Sequence, residues 1–243
     1  MERVAPLARD RRLAWGGCLN VRDLGGLRGP EGAIRRGVLV RASSMGAPTP
    51  AGLAAAREHG IRTVIDIRGA GEIDAGPSPF APGATYRQVP FKEAAGPMSL
   101  HRAAAEGTLA EQLRQRAAPD SGLAAIVGAI AEAEPGLIVH CVAGRDRTGF
   151  VVAIVLAAVG VADDDIVADY CASDDELADS YRSYIDAHPD DAAPIGEAIE
   201  RRAWVMREVL GAVRREYGDG AAYLRSAGVT TEQLDRIRAM LLG

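Results

Sequence analysis

Cys141 and Arg147 stand six positions apart in the run His140-Cys141-Val142-Ala143-Gly144-Arg145-Asp146-Arg147-Thr148-Gly149. An apolar run, Leu137-Ile138-Val139, leads in, and a long apolar segment from Phe150 to Val161 leads out. A short turn between a strand and a helix can aim successive backbone N–H groups inward as a nest for an anion. The free N–H groups of the helix start, with their partial positive charge, converge on the same point. A thiol at the floor of such a nest is biased towards its thiolate, the nucleophilic form. Arg147 adds a planar fork able to hold two phosphate oxygens at once.

A lone Cys before an apolar helix is usually a buried core residue. The company of His140, Gly144, Arg147, Thr148 and Gly149 makes the nucleophilic reading the stronger one here. Rival phosphate motifs are absent: there is no Gly-x-x-x-x-Gly-Lys-Ser/Thr run, and no Gly-x-Gly-x-x-Gly follows a strand. The chemistry that fits is hydrolysis of a phosphomonoester in two displacements. Cys141 attacks phosphorus to give a thiophosphate, and water then releases phosphate. Arg147 and the backbone of Val142, Ala143, Gly144, Arg145 and Thr148 would hold the oxygens, with no metal or other cofactor required. His140 is expected to fix the loop, and Thr148 to donate to the thiolate or cap the helix. The leaving group needs a proton donor. Asp146, inside the loop, is the first choice; Glu93 is the second and Asp66, at a strand end, the third.

These residues resemble the active-site loop of protein-tyrosine phosphatases, in particular their atypical bacterial and fungal branch. Asn20-Val21-Arg22-Asp23-Leu24-Gly25-Gly26 is similar to that branch's Asn-Phe-Arg-Asp entry motif. Val40-Arg41-Ala42-Ser43 is similar to its Phe-Arg-Ser-Ser strand end, and Val64-Ile65-Asp66-Ile67-Arg68 to its Asp-Leu-Arg strand end. Val167-Ala168-Asp169-Tyr170, Tyr223-Leu224-Arg225 and the closing Met240-Leu241-Leu242-Gly243 also match. The branch usually has Lys where Arg145 stands, so a point charge is replaced by a planar fork. The resemblance implies a cysteine-dependent phosphatase acting on a phosphorylated protein or a phosphoinositide, and a lid formed by residues 94–118. Arg145, with Arg22, Arg41 and Arg68 approaching from neighbouring segments, is expected to form a cationic rim for substrates carrying more than one anionic group. Phe150 and Tyr170 are candidates for an aromatic clamp. Two rival readings stay open: a phosphoinositide-preferring enzyme, and a phosphate-binding module without catalysis.

The elements that must position these groups are short strands and capped helices. Strand-like runs cover Gly37 to Arg41, Thr63 to Ile67, Tyr86 to Pro90 and Leu137 to Cys141. A helix from Ala51 to His59 is capped by Thr49 and closed by Gly60, and another runs from Ser121 to Glu134. The alternation predicts an α/β fold with a mainly parallel central sheet flanked by helices, the last strand feeding the loop. Beyond Gly149 the chain reads as helical, with Asp163-Asp164-Asp165 at one helix start, a long helix from Pro194 to Tyr217 and a capping box at Thr230. The 243 residues are expected to form one domain over 1–243.

A hydrophobic content of 48% and a charged content of 25% are ordinary for a globular protein. The net charge of −5 argues against nucleic-acid binding. No apolar run reaches the roughly 18 residues of a membrane span, and the N-terminus lacks a secretory core. Three scattered cysteines suggest neither a disulfide framework nor a zinc site. The expected location is the cytoplasm, with export by a leaderless route left open.

Overall fold

The strands form where β-branched and aliphatic residues lie between glycines, and their lengths set the depth of the sheet. The computed structural model describes residues 11–44, 46–74, 76, 78–81, 83–91 and 121–243. Its main sheet contains β1 (Arg22–Asp23), β4 (Leu39–Ser43), β5 (Thr63–Asp66), β6 (Thr85–Gln88) and β7 (Leu137–Cys141), in the order β1-β4-β7-β5-β6. The pairs β4–β7, β7–β5 and β5–β6 are parallel, and β1 joins the edge antiparallel to β4. A small ribbon of β2 (Arg28–Gly29) and β3 (Gly32–Ala33) stands apart.

Alternation along the strands divides two apolar layers. Leu39, Ile65, Leu137, Val139 and Cys141 share one face with α3 (Ser121–Ala131) and α4 (Asp146–Ala158). Val40, Ala42, Val64 and Ile138 share the other with Trp15, Phe80 and Ala56 of α1 (Pro50–Glu58). The α1 helix is capped by the Thr49 side chain, which accepts from the Gly52 N–H at 3.0 Å, as its Thr-Pro start predicts. Between β5 and β6 lies the short α2 (Ala70–Asp74).

The C-terminal half is helical. After α4 come α5 (Asp163–Glu176), α6 (Ala178–Ala187), the long α7 (Ala192–Tyr217), α8 (Gly220–Ser226) and α9 (Thr231–Leu242). The capping box at Thr230 and Gln233 is present. The expected α/β class with a mainly parallel sheet is therefore the observed one. Several boundaries differ, among them the strand expected over Gly37 to Arg41, which spans Leu39–Ser43, and the one expected over Tyr86 to Pro90, which spans Thr85–Gln88. The helix after the loop begins at Asp146, ahead of the start expected at Thr148-Gly149, because polar loop residues form its first turn. The α3 helix stops at Ala131, three residues short of the expected Glu134. Residues 94–118, the expected lid, lie outside the described residues.

The α4 helix is buried along nearly its whole length, unusual for a helix carrying Asp146 and Arg147 in its first turn. Sheet, α3 and the later helices enclose it, so its apolar body fixes the loop at its N-terminus. Replacing the fully buried Ile154 with Ala should lower the unfolding free energy by about 2–5 kcal/mol. Urea denaturation checks this: the midpoint should fall while the slope stays constant.

Candidate active site

The parallel pairings bring the ends of four strands to one side of the sheet, the side on which open α/β sheets bind ligands. Ser43 lies beside Cys141, and Asp66 beside His140. Cys141 is buried at the end of β7, and the chain then turns sharply into α4. The turn depends on Gly144, whose φ is +64°. A Cβ there would sit 2.1 Å from the Ala42 carbonyl oxygen, so any other residue would push the loop off β4. The start of the loop is clamped as well. The Ser44 N–H donates to the carbonyls of Cys141 and Val142, at 3.0 and 2.9 Å, and the Ser43 hydroxyl donates to Val142 at 2.5 Å.

No side chain caps α4. The Gly149 N–H closes the first helical bond on the Arg145 carbonyl at 2.7 Å, so those of Asp146, Arg147 and Thr148 precede the helical ladder. The Thr148 hydroxyl is buried with no hydrogen-bond partner among the described residues. Arg147 is buried, and its two terminal nitrogens donate to Glu72 of α2 at 2.6 and 2.7 Å. Burial raises the Glu72 pKa, but hydrogen bonds from Arg147 and the Gly69 N–H outweigh it and leave the net value lowered. Sequence reasoning missed Glu72. Only its place just after the Asp66-Ile67-Arg68 strand end hinted at a role.

His140 is fully buried, and burial lowers its pKa below the usual value. Its neutral ring fits one tautomer: Nδ1 donates to the Cys141 carbonyl at 3.2 Å, and Nε2 accepts from the Ser78 hydroxyl at 2.7 Å. Asp66 is engaged elsewhere. It accepts from Arg68 Nη2 at 2.7 Å and from the Tyr86 hydroxyl at 2.9 Å, and lies 3.6 Å from His140 Nε2. Burial raises the Asp66 pKa, but the Arg68 hydrogen bonds prevail and keep it lowered.

Asp146 is equally committed. One oxygen accepts from Arg145 Nε and Nη2 at 3.1 and 2.9 Å; the other accepts from the Tyr170 hydroxyl at 3.1 Å and Arg202 at 3.4 Å. Burial raises its pKa, yet the adjacent Arg145 and Arg202 outweigh burial and hold it at about 2. A carboxyl so held is poorly suited to carry a proton near neutrality, which weighs against the first choice of general acid. Glu93 lies outside the described residues.

The expected cationic rim does not form. The Arg145 side chain pairs with Asp146, donates to the Tyr181 hydroxyl and lies 5.5 Å from that ring's centre. Arg22 and Arg41 are fully buried and bind Asp169 of α5. Arg68 is spent on Asp66 and the Gly76 carbonyl. Arg22 and Arg41 meet a carboxylate 147 and 128 residues away, whereas Arg68 and Arg145 pair with Asp66 and Asp146, two residues and one residue away. The aromatic candidates are core residues too. Phe150 packs edge-on against Phe91 at 6.0 Å between ring centres, and Tyr170 is fully buried. Cys18 and Cys171 are half-buried free thiols, both pushed up to about 11 by burial. Among the described residues, no three His, Cys, Asp or Glu side chains are grouped to share a metal ion.

With this geometry in place, residues 13–243 match the tyrosine phosphatase family, and the chain belongs to it. It is a cysteine-dependent phosphoric-monoester hydrolase of the protein-tyrosine phosphatase class. The chain is 30% identical to the triple specificity protein phosphatase PtpB of Mycobacterium tuberculosis, over 87% of this chain and 93% of that protein. It is 29% identical to a Cupriavidus necator protein assigned as a tyrosine-protein phosphatase, over 88% of this chain and 83% of the relative. A tyrosine-protein phosphatase of Nostoc commune is 31% identical over 46% of this chain and 40% of its own.

The buried ion pairs predict an acid-sensitive fold. The Asp146 carboxyl has a folded pKa depressed from 3.8 to about 2, so it stabilises the protein above the ordinary carboxylate range. That contribution is lost as pH falls from about 4 towards 2. Asp146→Asn should cost about 3–5 kcal/mol near neutral pH, since it leaves Arg145 and Arg202 short of a buried partner. The gap to the parent should narrow on acidification, as read from denaturation midpoints across pH.

Proposed function

We propose that the loop from His140 to Gly149 hydrolyses phosphotyrosine in proteins, with Cys141 as nucleophile. The observation that carries this reading is a buried thiol at the foot of an uncapped helix start, with Arg147 oriented by Glu72 beside it. In the first displacement the thiolate attacks phosphorus and the phenoxide leaves. Arg147 and the backbone N–H groups of residues 142–148 hold the non-bridging oxygens, where charge is stabilised without reorganisation. Thr148, whose hydroxyl has no competing bond among the described residues, donates to the sulfur and eases its departure when water attacks. His140 holds the Cys141 carbonyl and so fixes the strand end.

Asp146 is assigned to anchoring the loop, because its two oxygens already serve Arg145, Arg202 and Tyr170. The bonds of Asp66 to Arg68 and Tyr86 support a positioning role for it instead. Glu93 is then the carboxyl we assign as proton donor. With Arg22, Arg41, Arg68 and Arg145 withdrawn into ion pairs, a polyanionic headgroup loses its expected partners. Phosphotyrosine therefore ranks ahead of phosphoinositides. The name of the mycobacterial relative supports activity on more than one phosphorylated class, which we extend to this chain as secondary activity. No helix among the described residues is long and apolar enough to cross a membrane. A reducing cytoplasm suits a catalytic thiol.

Phosphate release from phosphotyrosine peptide, phosphoserine peptide and phosphatidylinositol phosphates, measured with EDTA present, tests this. Cys141→Ser should lose more than about a thousandfold in turnover. Glu93→Gln should impair phosphotyrosine far more than p-nitrophenyl phosphate, whose leaving group scarcely needs a proton. The same split seen in Asp146→Asn instead would return the acid role to Asp146.

A further inference from the structure

A planar peptide unit carries its C=O and the following N–H on opposite sides, so the aim of a carbonyl sets the aim of the next residue's N–H. Three carbonyls in the middle of the loop are held from outside it. Asn20 Nδ2 donates to the Ala143 carbonyl at 2.9 Å. Arg41 Nη2 donates to the Gly144 carbonyl at 2.6 Å and the Arg145 carbonyl at 3.3 Å. The N–H groups of Gly144, Arg145 and Asp146 therefore face away from Asn20 and Arg41; the Arg145 carbonyl also accepts from the Gly149 N–H. We propose that Asn20 and Arg41 are positioning residues of the phosphate nest, fixing three of its donors through the carbonyls behind them. The proposal rests on the reading of this loop as the phosphate site.

Neither contact is incidental. Asn20 is buried and holds a left-handed backbone, φ +55°, which Asn tolerates better than most residues. Its amide orientation is settled at both ends, since Oδ1 accepts from Arg22 while Nδ2 donates to the loop. Arg22 is in turn fixed by the Asp169 side chain and carbonyl and by the Ser173 hydroxyl. Arg41 donates through Nη1 to Asp169 at 2.6 Å, while its Nε is buried with no partner among the described residues. That arrangement gives up one hydrogen bond of the guanidinium and puts the other two nitrogens between Asp169 and the loop. A lysine could not reproduce it, having one point charge in place of a fork. The donors behind the carbonyls also polarise the peptide groups, which strengthens the N–H groups on the far side.

Inhibition of the full chain by orthovanadate and by inorganic phosphate tests this, with kcat, KM and thermal midpoint recorded for each variant. Vanadate adopts the five-coordinate geometry of the transition state, whereas phosphate resembles the product. Asn20→Asp keeps side-chain shape and tolerance of the left-handed backbone, but turns an oxygen instead of a donor towards Ala143. It should weaken vanadate binding about tenfold or more, the size of one charge-assisted contact. Phosphate binding should weaken less, and kcat should fall more than KM rises. Arg41→Lys should act in the same direction. A purely structural role would lower the thermal midpoint and the active fraction, yet leave the inhibition constants of the active fraction at the parent's values; that result overturns the proposal. Should Asn20→Asp fail to fold, Asn20→Gly keeps the backbone and carries the same expectation. Failure of the parent itself to bind either anion would overturn the phosphate-site reading and this inference with it.

Discussion

Asp169 meets three buried guanidiniums, those of Arg11, Arg22 and Arg41, within 3.3 Å. Burial raises its pKa, but the three arginines outweigh it and hold the carboxyl well below the usual range. Burying so much charge is costly unless every group is placed to meet another. The arrangement therefore constrains much of the molecule at once: the first described residues, β1 and β4 have to meet α5 at one point. Arg41 extends the same constraint into the loop, and Arg22 extends it through Asn20. The loop is thus held from behind by a charge cluster, through Asn20 and Arg41 on its carbonyls.

A second cluster repeats the principle on the other flank. Arg145 and Arg202 surround Asp146, with Tyr170, Tyr181 and Asp174 closing the set. It joins the first turn of α4 to α5, α6 and α7, so the helical half acts as a scaffold for the loop. Of the charged side chains in the loop, Arg145 and Asp146 are bound to one another and to the scaffold. Arg147 is instead oriented by Glu72 of α2. Arg145 and Arg147, two positions apart, thus meet different partners, because the chain turns successive side chains in different directions as it enters α4.

Local signals carried far in this chain. The Cys141 to Arg147 spacing, the Thr49 and Thr230 caps and the apolar run of β7 each depend on neighbours a few residues away, and all were legible. The α/β class followed from their alternation. Side-chain partners were not legible, because they are long-range. Asp169 lies 128 residues from Arg41, and Glu72 lies 75 from Arg147. For that reason Arg22 and Arg41 read as rim residues when they are buried counter-ions; the partners of Arg68 and Arg145, namely Asp66 and Asp146, stand beside them in sequence and read instead as candidate proton donors. Glu72 passed unremarked, and Asn20 stood out only within the entry motif, for the same reason: an ordinary polar residue gains its meaning only when folding sets it beside the loop.

The central claim is that Cys141 itself takes the phosphoryl group. Rapid denaturation of the protein during turnover of a phosphotyrosine peptide, followed by peptide mass spectrometry, tests it most directly. The account predicts a phosphoryl group on the sulfur of Cys141, present during turnover and absent once substrate is exhausted. Turnover by the parent with no phosphorylated Cys141 at any time, or with the group on another residue, would contradict it.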